Sequence, residues 1–290
     1  MKLMRYGAMG QERPALLDKD GRVRDLSGVL PDITAQTLMP EQLRRLAAID
    51  AGSLPVVDNP GRIAPPWKGV GKFVAVGLNY TDHAEEAGMP IPKEPVIFMK
   101  APSCIVGPND PVVMPRGSTK TDYEVELGIV IGSMAREVSE AEAIRHVAGY
   151  CVVNDVSERL FQLEQNGTQW DKGKCCDTYG PVGPWLVTTD EITDPQSLDM
   201  WLDVNGQRRQ TGNTRTMIFG VAYLVSYLSR YMTLYPGDLI TTGTPPGVGL
   251  GFKPPRYLKA GERVRLGISG LGEQDQTMHD WDPALIMHNL

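Results

Sequence analysis

The chain has 290 residues, 29 Lys+Arg against 35 Asp+Glu, and a formal net charge of −6. Its 41% hydrophobic and 22% charged residues describe an ordinary globular protein, not a fibrous or disordered one. No basic run suited to a nucleic acid and no apolar stretch of bilayer length is present, and the N-terminal residues lack the apolar core of a signal peptide. The four cysteines, with Cys175 and Cys176 adjacent and no CxxC, read as reduced thiols of a cytoplasmic protein. Thirty-one glycines and 23 prolines, spread along the chain, predict many turns between short elements and hence a β-rich fold.

In chain order, residues 3–6 and 13–17 predict short strands, and Pro40 opens a helix over 40–49. The Pro/Gly-rich stretch 60–66 reads as a linker. It divides the chain into a small α/β module, 1–66, and a larger domain, 67–290. Residues 72–78 predict a strand ending at Asn79-Tyr80, followed by a short helix over 81–88 that carries His83 and Glu86. On a helix these two are neighbours, and a carboxylate beside an imidazole raises its basicity. A surface ion pair would show the same spacing.

Residues 122–131 alternate with period two, predicting a strand with one apolar face and Asp122, Glu124 and Glu126 on the other. Such an acidic face is ordinarily solvated. Here the opposite face is strongly apolar, and Asp155 ends the next predicted strand, 148–153, after a helix over 139–146 capped by Ser139 with Glu142. Clustered carboxylates with no Cys or His beside them are a ligand set for Mg²⁺, Mn²⁺ or Ca²⁺. A helical stretch near 158–165 follows. Then come predicted strands over 185–188, 199–204, 239–242 and 263–268, interrupted by an amphipathic helix over 218–231. Lys174 sits in Gly173-Lys174-Cys175-Cys176, where the two cysteines read as small buried residues. Residues 236–249 run from a strand into a Gly/Pro-rich loop able to bring backbone N–H groups close to an anion, but without a P-loop pattern.

Taken together, these pieces resemble the fumarylacetoacetate hydrolase family. The resemblance rests on Val76-Gly77-Leu78-Asn79-Tyr80 followed by His83 and Glu86; Phe98-Met99-Lys100-Ala101-Pro102-Ser103; Asp122-Tyr123-Glu124-Val125-Glu126-Leu127; Asn154-Asp155-Val156-Ser157; residues 170–181; Val204-Asn205-Gly206 with Met217-Ile218-Phe219; and the loop 242–249. It covers about residues 70–290, and the first 66 resemble the small module that precedes this domain in many members. The resemblance implies an α+β, β-rich fold, a folded sheet or β-roll, assembled as a homodimer. It implies Glu124, Glu126 and Asp155 as ligands of Mg²⁺ or Mn²⁺, and His83 with Glu86 as the dyad that activates water. Lys174 would stabilise developing negative charge, while Arg159, Gln162 and Thr244 would hold the keto-acid end of a small diketo acid.

Two departures stand out. Leu160 occupies a position where many members carry aspartate, and Cys175-Cys176 replaces Ser-Phe after the lysine. These look like the branch acting on 2,4-diketo-3-deoxy sugar acids such as 2,4-diketo-3-deoxyrhamnonate, cleaved to pyruvate and lactate. Acylpyruvate hydrolysis, oxaloacetate decarboxylation and keto–enol isomerisation would use the same metal site, and a keto-acid-binding protein without turnover would share it too.

Overall fold

The computed structural model describes residues 1–82, 91–165, 167 and 169–286. Its spine is a ten-stranded sheet. Nine strands form a continuous path: β3 (Val23–Asp25), β2 (Arg13–Leu17), β1 (Lys2–Tyr6), β14 (Leu186–Thr188), β11 (Val147–Asn154), β10 (Val125–Ile131), β17 (Leu239–Thr241), β5 (Phe73–Gly77) and β6 (Val96–Lys100). The tenth, β4 (Ile63–Ala64), pairs with β1. A second sheet of five strands has the order β16 (Gln207–Asn213), β15 (Asp199–Val204), β18 (Arg263–Ile268), β19 (Gly272–His279) and β8 (Val112–Val113).

The second sheet covers one face of the first. Val125, Leu127, Ile129 and Ile131 of β10 share a core with Met200, Leu202 and Val204 of β15 and Leu266 and Ile268 of β18. The long helix Val221–Tyr231 adds Leu224, Val225 and Leu228 to that core. On the other face, Leu3, Leu16, Leu26, Ile33, Leu38 and Trp67 from the first 67 residues pack with Val130, Cys151 and Val153. β10 is therefore buried along both faces. The polar, solvated edge that period-two alternation ordinarily signals does not form, because the N-terminal residues cover the Val130 end of that face and Glu124 and Glu126 are enclosed at the wall of a cavity.

Several expectations change in detail. The strand predicted over 122–131 breaks at Tyr123-Glu124 into β9 (Thr121–Asp122), which pairs with β12 (Ser157–Glu158), and β10. The helix after Ser139 shrinks to Glu140–Ala143 and a 3₁₀ turn. Ser139 caps no backbone N–H; its hydroxyl donates to the Glu142 carboxylate at 3.0 Å. The helical stretch near 158–165 is a single π-helical turn, Leu160–Glu164. Cys175 and Cys176 are half-buried rather than buried, and all four thiols are free. Of the helix expected over 81–88, Thr81 and Asp82 are helical, and the remainder lies outside the described residues.

β16 and β19 were not legible in the sequence. β19 alternates as a strand should, but two of its inward residues are Gln274 and Gln276, both buried. Gln274 Nε2 donates to the carbonyls of Val152 and Gly183 at 2.8 and 3.0 Å, and Gln276 Nε2 donates to Pro108 O at 2.7 Å. Side-chain amides thus replace apolar side chains, satisfying the rule that buried polar groups find partners.

Candidate active site

Glu124 occupies the break between β9 and β10, Glu126 lies one strand repeat further along β10, and Asp155 follows the last residue of β11. Antiparallel pairing sets Val125 opposite Asn154, so the three carboxylates converge where the two strands meet. Two main-chain contacts fix the corner. Asp155 N donates to Glu124 O at 2.9 Å, and Glu124 N donates to Asn154 Oδ1 at 3.2 Å. Asn154 is held in turn by Gln276 of β19, whose Oε1 accepts from Asn154 Nδ2 at 3.0 Å. Glu124, Glu126 and Asp155 are all buried, and each offers one oxygen within 4.8 Å of the other two.

Asp122 stands apart from this group. It accepts from the Gly249 and Leu250 N–H groups at 2.7 and 3.0 Å and from Arg159 Nε at 2.9 Å. Its task is to pin the Gly/Pro-rich loop to β9.

Three cations face the acids. Lys174 Nζ lies 2.7 Å from both Glu124 Oε2 and Asp155 Oδ2. Lys100 Nζ lies 2.7 Å from Asp155 Oδ1, at an angle short of a hydrogen bond. Arg159 Nη2 donates to Glu124 Oε1 at 2.7 Å, and its Nη1 donates to Gln162 Oε1 at 2.9 Å. Lys174 is only 2% exposed, the opposite of an ordinary surface lysine. It sits over the Phe98 ring at 5.0 Å from the centroid, and Phe98 meets Trp170 edge-on at 5.6 Å.

The charges do not balance. Burial by itself raises the Glu124 carboxyl, but Lys174 and Arg159 outweigh it and hold the group well below the usual range. Glu126 has no cation partner among the described residues; its Oε2 accepts from Gly243 N at 2.9 Å. Burial first, then the neighbouring Asp155 and Glu124 charges, push Glu126 well above the usual range. Four buried carboxylates against three cations, hard oxygen donors converging on one point, and an Asp155 oxygen without a hydrogen bond fit a divalent cation.

Glu124 and Glu126 of the cluster line a cavity of about 760 Å³, with Asp155 buried behind them. Arg159, Gln162, Lys174 and Thr244 all line it, so the fold brings these expected site residues together with the acids. His83 and Glu86 lie outside the described residues. The Thr244 hydroxyl already has two partners: it donates to Val125 O at 2.9 Å and accepts from Gln210 Nε2 at 2.7 Å. Gln210, from the unforeseen β16, also accepts from Val125 N at 3.0 Å, and so fastens the loop to the strand that carries Glu126. Gly243 adopts φ +87, where a side chain would be strained, and its Cβ would approach Asn79 Cβ to 3.0 Å. Neither Gln210 nor the role of Lys100 had a signal in the sequence, since burial of a lone polar residue depends on what folds over it.

The profile of the fumarylacetoacetate (FAA) hydrolase C-terminal family matches residues 72–279. The chain belongs to this family. It is 63% identical over 277 residues to a Burkholderia multivorans protein bearing only a provisional hydrolase name, covering 95% of this chain and 98% of that protein. Among solved structures, fumarylacetoacetate hydrolase from Exiguobacterium antarcticum is 34% identical with a TM-score of 0.85, covering 97% of this chain and 100% of that one. Maleylpyruvate hydrolase from Sphingobium sp. SYK-6, solved with manganese(II) and pyruvate, is 28% identical with a TM-score of 0.81 over the same shares. A 5-carboxymethyl-2-hydroxymuconate delta-isomerase from Mycobacterium smegmatis is 32% identical with a TM-score of 0.75, again covering 97% and 100%. The family fold is thus the α+β, sheet-rich arrangement described above. Among the described residues, no helix is long and apolar enough to cross a membrane.

Proposed function

We propose that the protein is a Mg²⁺- or Mn²⁺-dependent hydrolase that cleaves the carbon–carbon bond of a 2,4-diketo acid, with 2,4-diketo-3-deoxyrhamnonate as its substrate and pyruvate and lactate as products. The observation that carries this reading is the buried Glu124–Glu126–Asp155 cluster, whose two glutamates line a cavity that Lys174 also lines. The manganese and pyruvate in the maleylpyruvate hydrolase structure support the same ligand class. Residues 67–290 would carry the reaction as a cytoplasmic homodimer, with residues 1–66 extending the large sheet through β1–β4, and neither nucleic acid nor membrane would take part.

When bound, the cation supplies Lewis-acid charge at the keto-acid end of the substrate. Arg159 braces Glu124 and Gln162, and with Gln162 and Thr244 it shapes the wall around that end. The His83–Glu86 pair removes a proton from water, whose oxygen attacks the C4 carbonyl. The C3–C4 bond then breaks, its electron pair passing to the pyruvate half as an enolate that is later protonated. Lys174 stabilises the negative charge as it develops. The far wall carries Leu163, Leu250, Phe252 and Pro255 with Lys253, a lining cation without an ion pair among the described residues. Its ammonium would serve a chain-end hydroxyl, which would be costly to bury unpaired.

The test is a side-by-side rate comparison of the purified protein on 2,4-diketo-3-deoxyrhamnonate and acetylpyruvate, with both products quantified. The deoxyrhamnonate should win by about 10-fold or more in kcat/KM, or about 1.4 kcal/mol. Equal turnover of acetylpyruvate would point to a general acylpyruvate hydrolase, and brisk decarboxylation of oxaloacetate alone would overturn hydrolysis. Binding of pyruvate without turnover of any diketo acid would leave a binding protein. A second reading, keto–enol isomerisation, draws support from the isomerase among the similar structures. It predicts loss of the enol absorbance without pyruvate release. His83→Ala should lower hydrolytic turnover by roughly 10²–10⁴-fold while leaving metal binding near normal.

A further inference from the structure

Lys100 closes β6 with a side chain that is fully buried. It does not line the cavity, so it is not placed to touch substrate. Its ammonium donates to two main-chain carbonyls and forms an ion pair with one carboxylate. It faces Asp155 Oδ1 at 2.7 Å, donates to the main-chain carbonyl of Lys174 at 2.5 Å, and reaches Val156 O at 3.3 Å. Asp155 thus faces a cation at each oxygen, Lys100 at Oδ1 through an ion pair alone and Lys174 at Oδ2 through a hydrogen bond. The plane of the carboxylate is fixed, and the same ammonium that fixes it also sets the backbone of the second lysine.

The neighbours of Lys100 secure the same turn. Met99 N donates to Asp171 Oδ1 at 3.1 Å, and Ala101 N donates to Cys175 Sγ at 3.1 Å. The short helix Asp171–Lys174 is therefore docked along the end of β6, with Lys100 at the centre of the contact. For stability alone, a well-packed apolar side chain of similar size would serve as well as a buried ion pair, or better. A lysine here earns its place by aligning two groups that are distant in sequence.

We propose that Lys100 is a positioning residue of the candidate active site, setting the Asp155 carboxylate and the Lys174 ammonium in register with each other. This rests on the reading of Asp155 as a metal ligand and deepens it. The test uses full-length Lys100→Met and Lys100→Gln, with folding checked by circular dichroism. Mn²⁺ affinity is measured without substrate by the paramagnetic resonance of free Mn²⁺, and kcat and KM are measured separately at saturating Mn²⁺. Mn²⁺ affinity should fall about 10–100-fold, as for other groups that orient metal ligands. The metal-saturated enzyme should lose kcat by about 10²-fold with little change in KM, because Lys174 is misplaced for the developing charge. A folded variant with wild-type Mn²⁺ affinity and wild-type kcat would overturn the proposal.

Should the single variants not fold, Lys100→Met/Asp155→Asn removes both charges together and is compared with Asp155→Asn. If Lys100 acts on the metal through Asp155, the added change leaves the residual Mn²⁺ affinity unaltered; a further independent loss would overturn it. Wild-type protein that binds no Mn²⁺ would defeat the metal reading itself, a result distinct from unaltered Lys100 variants.

Discussion

Lys174 occupies two of the three candidate ligand carboxylates at once, which makes it both a structural counter-ion and a candidate catalytic group. Removing one partner of a buried charge pair leaves the other unsolvated, at a cost of about 3–5 kcal/mol. Lys174→Met leaves Glu124 with Arg159 alone and Asp155 with Lys100 alone. We expect the metal-free variant to lose stability of that order in denaturant unfolding, and saturating Mn²⁺ to return a larger share to it than to the wild type, since the cation replaces the missing charge. Turnover should stay low even with metal, by roughly 10²-fold or more, because the charge stabilisation at the reacting atoms is gone. An equal stability deficit with and without Mn²⁺ would contradict a shared site. The residue types of this cluster were readable in advance, but the number of its counter-ions was not. Lys100 ends an apolar strand and carries no local mark of being buried beside Asp155.

At the scale of elements, the site is a meeting of chain ends: the β9–β10 break, the end of β11, and a four-residue helix. That helix approaches closely because residue 173 is glycine. A Cβ there would lie 2.5 Å from Glu158 O and 2.6 Å from Gln162 N. Gly173→Ala must push the helix off the π-helical turn, shifting Lys174 and Gln162 together. Overpacking of this kind costs about 1–3 kcal/mol. The expected signature is a modest fall in melting temperature with a drop in kcat of about 10-fold or more, read by thermal unfolding alongside steady-state kinetics. A variant with unchanged kcat would show that the helix has slack the packing does not suggest. The sequence marked most of these elements, because apolar periodicity reports which face is buried. It did not mark β16 or β19, whose inward positions include Gln210, Gln274 and Gln276; their amides are satisfied by partners in distant loops and strands.

For the molecule as a whole, a cation that binds only the folded state should add stability by mass action. At 100 times its Kd this amounts to about 2.7 kcal/mol. For a chain of this size that corresponds to a rise in melting temperature of roughly 4–5 °C, lost again on chelation. Glu126→Gln should abolish most of the shift, since Glu126 is the acid of the cluster with no cation partner among the described residues. A melting temperature indifferent to Mn²⁺ and to a chelator would argue against a bound metal anywhere in the fold. The two sheets make this linkage global: β10 and β11 carry the acids and also form the centre of both apolar cores.

The sequence by itself determined the β-rich class and the longer apolar strands, and it pointed to the candidate site residues, because alternation, turn residues and family-like motifs are local properties written into neighbouring positions. Tertiary structure decided the environment of those residues. The first 67 residues cover the Val130 end of the second face of β10 and the cavity wall encloses Glu124 and Glu126, so an alternation that ordinarily means a wet edge here lies in a doubly covered strand. Asp122, adjacent in pattern to the clustered acids, is diverted to Arg159 and the Gly249–Leu250 backbone, because the strand breaks before Glu124. Which carboxylates converge, and which are left short of positive charge, depends on contacts between segments far apart in the chain, and no local pattern encodes those distances.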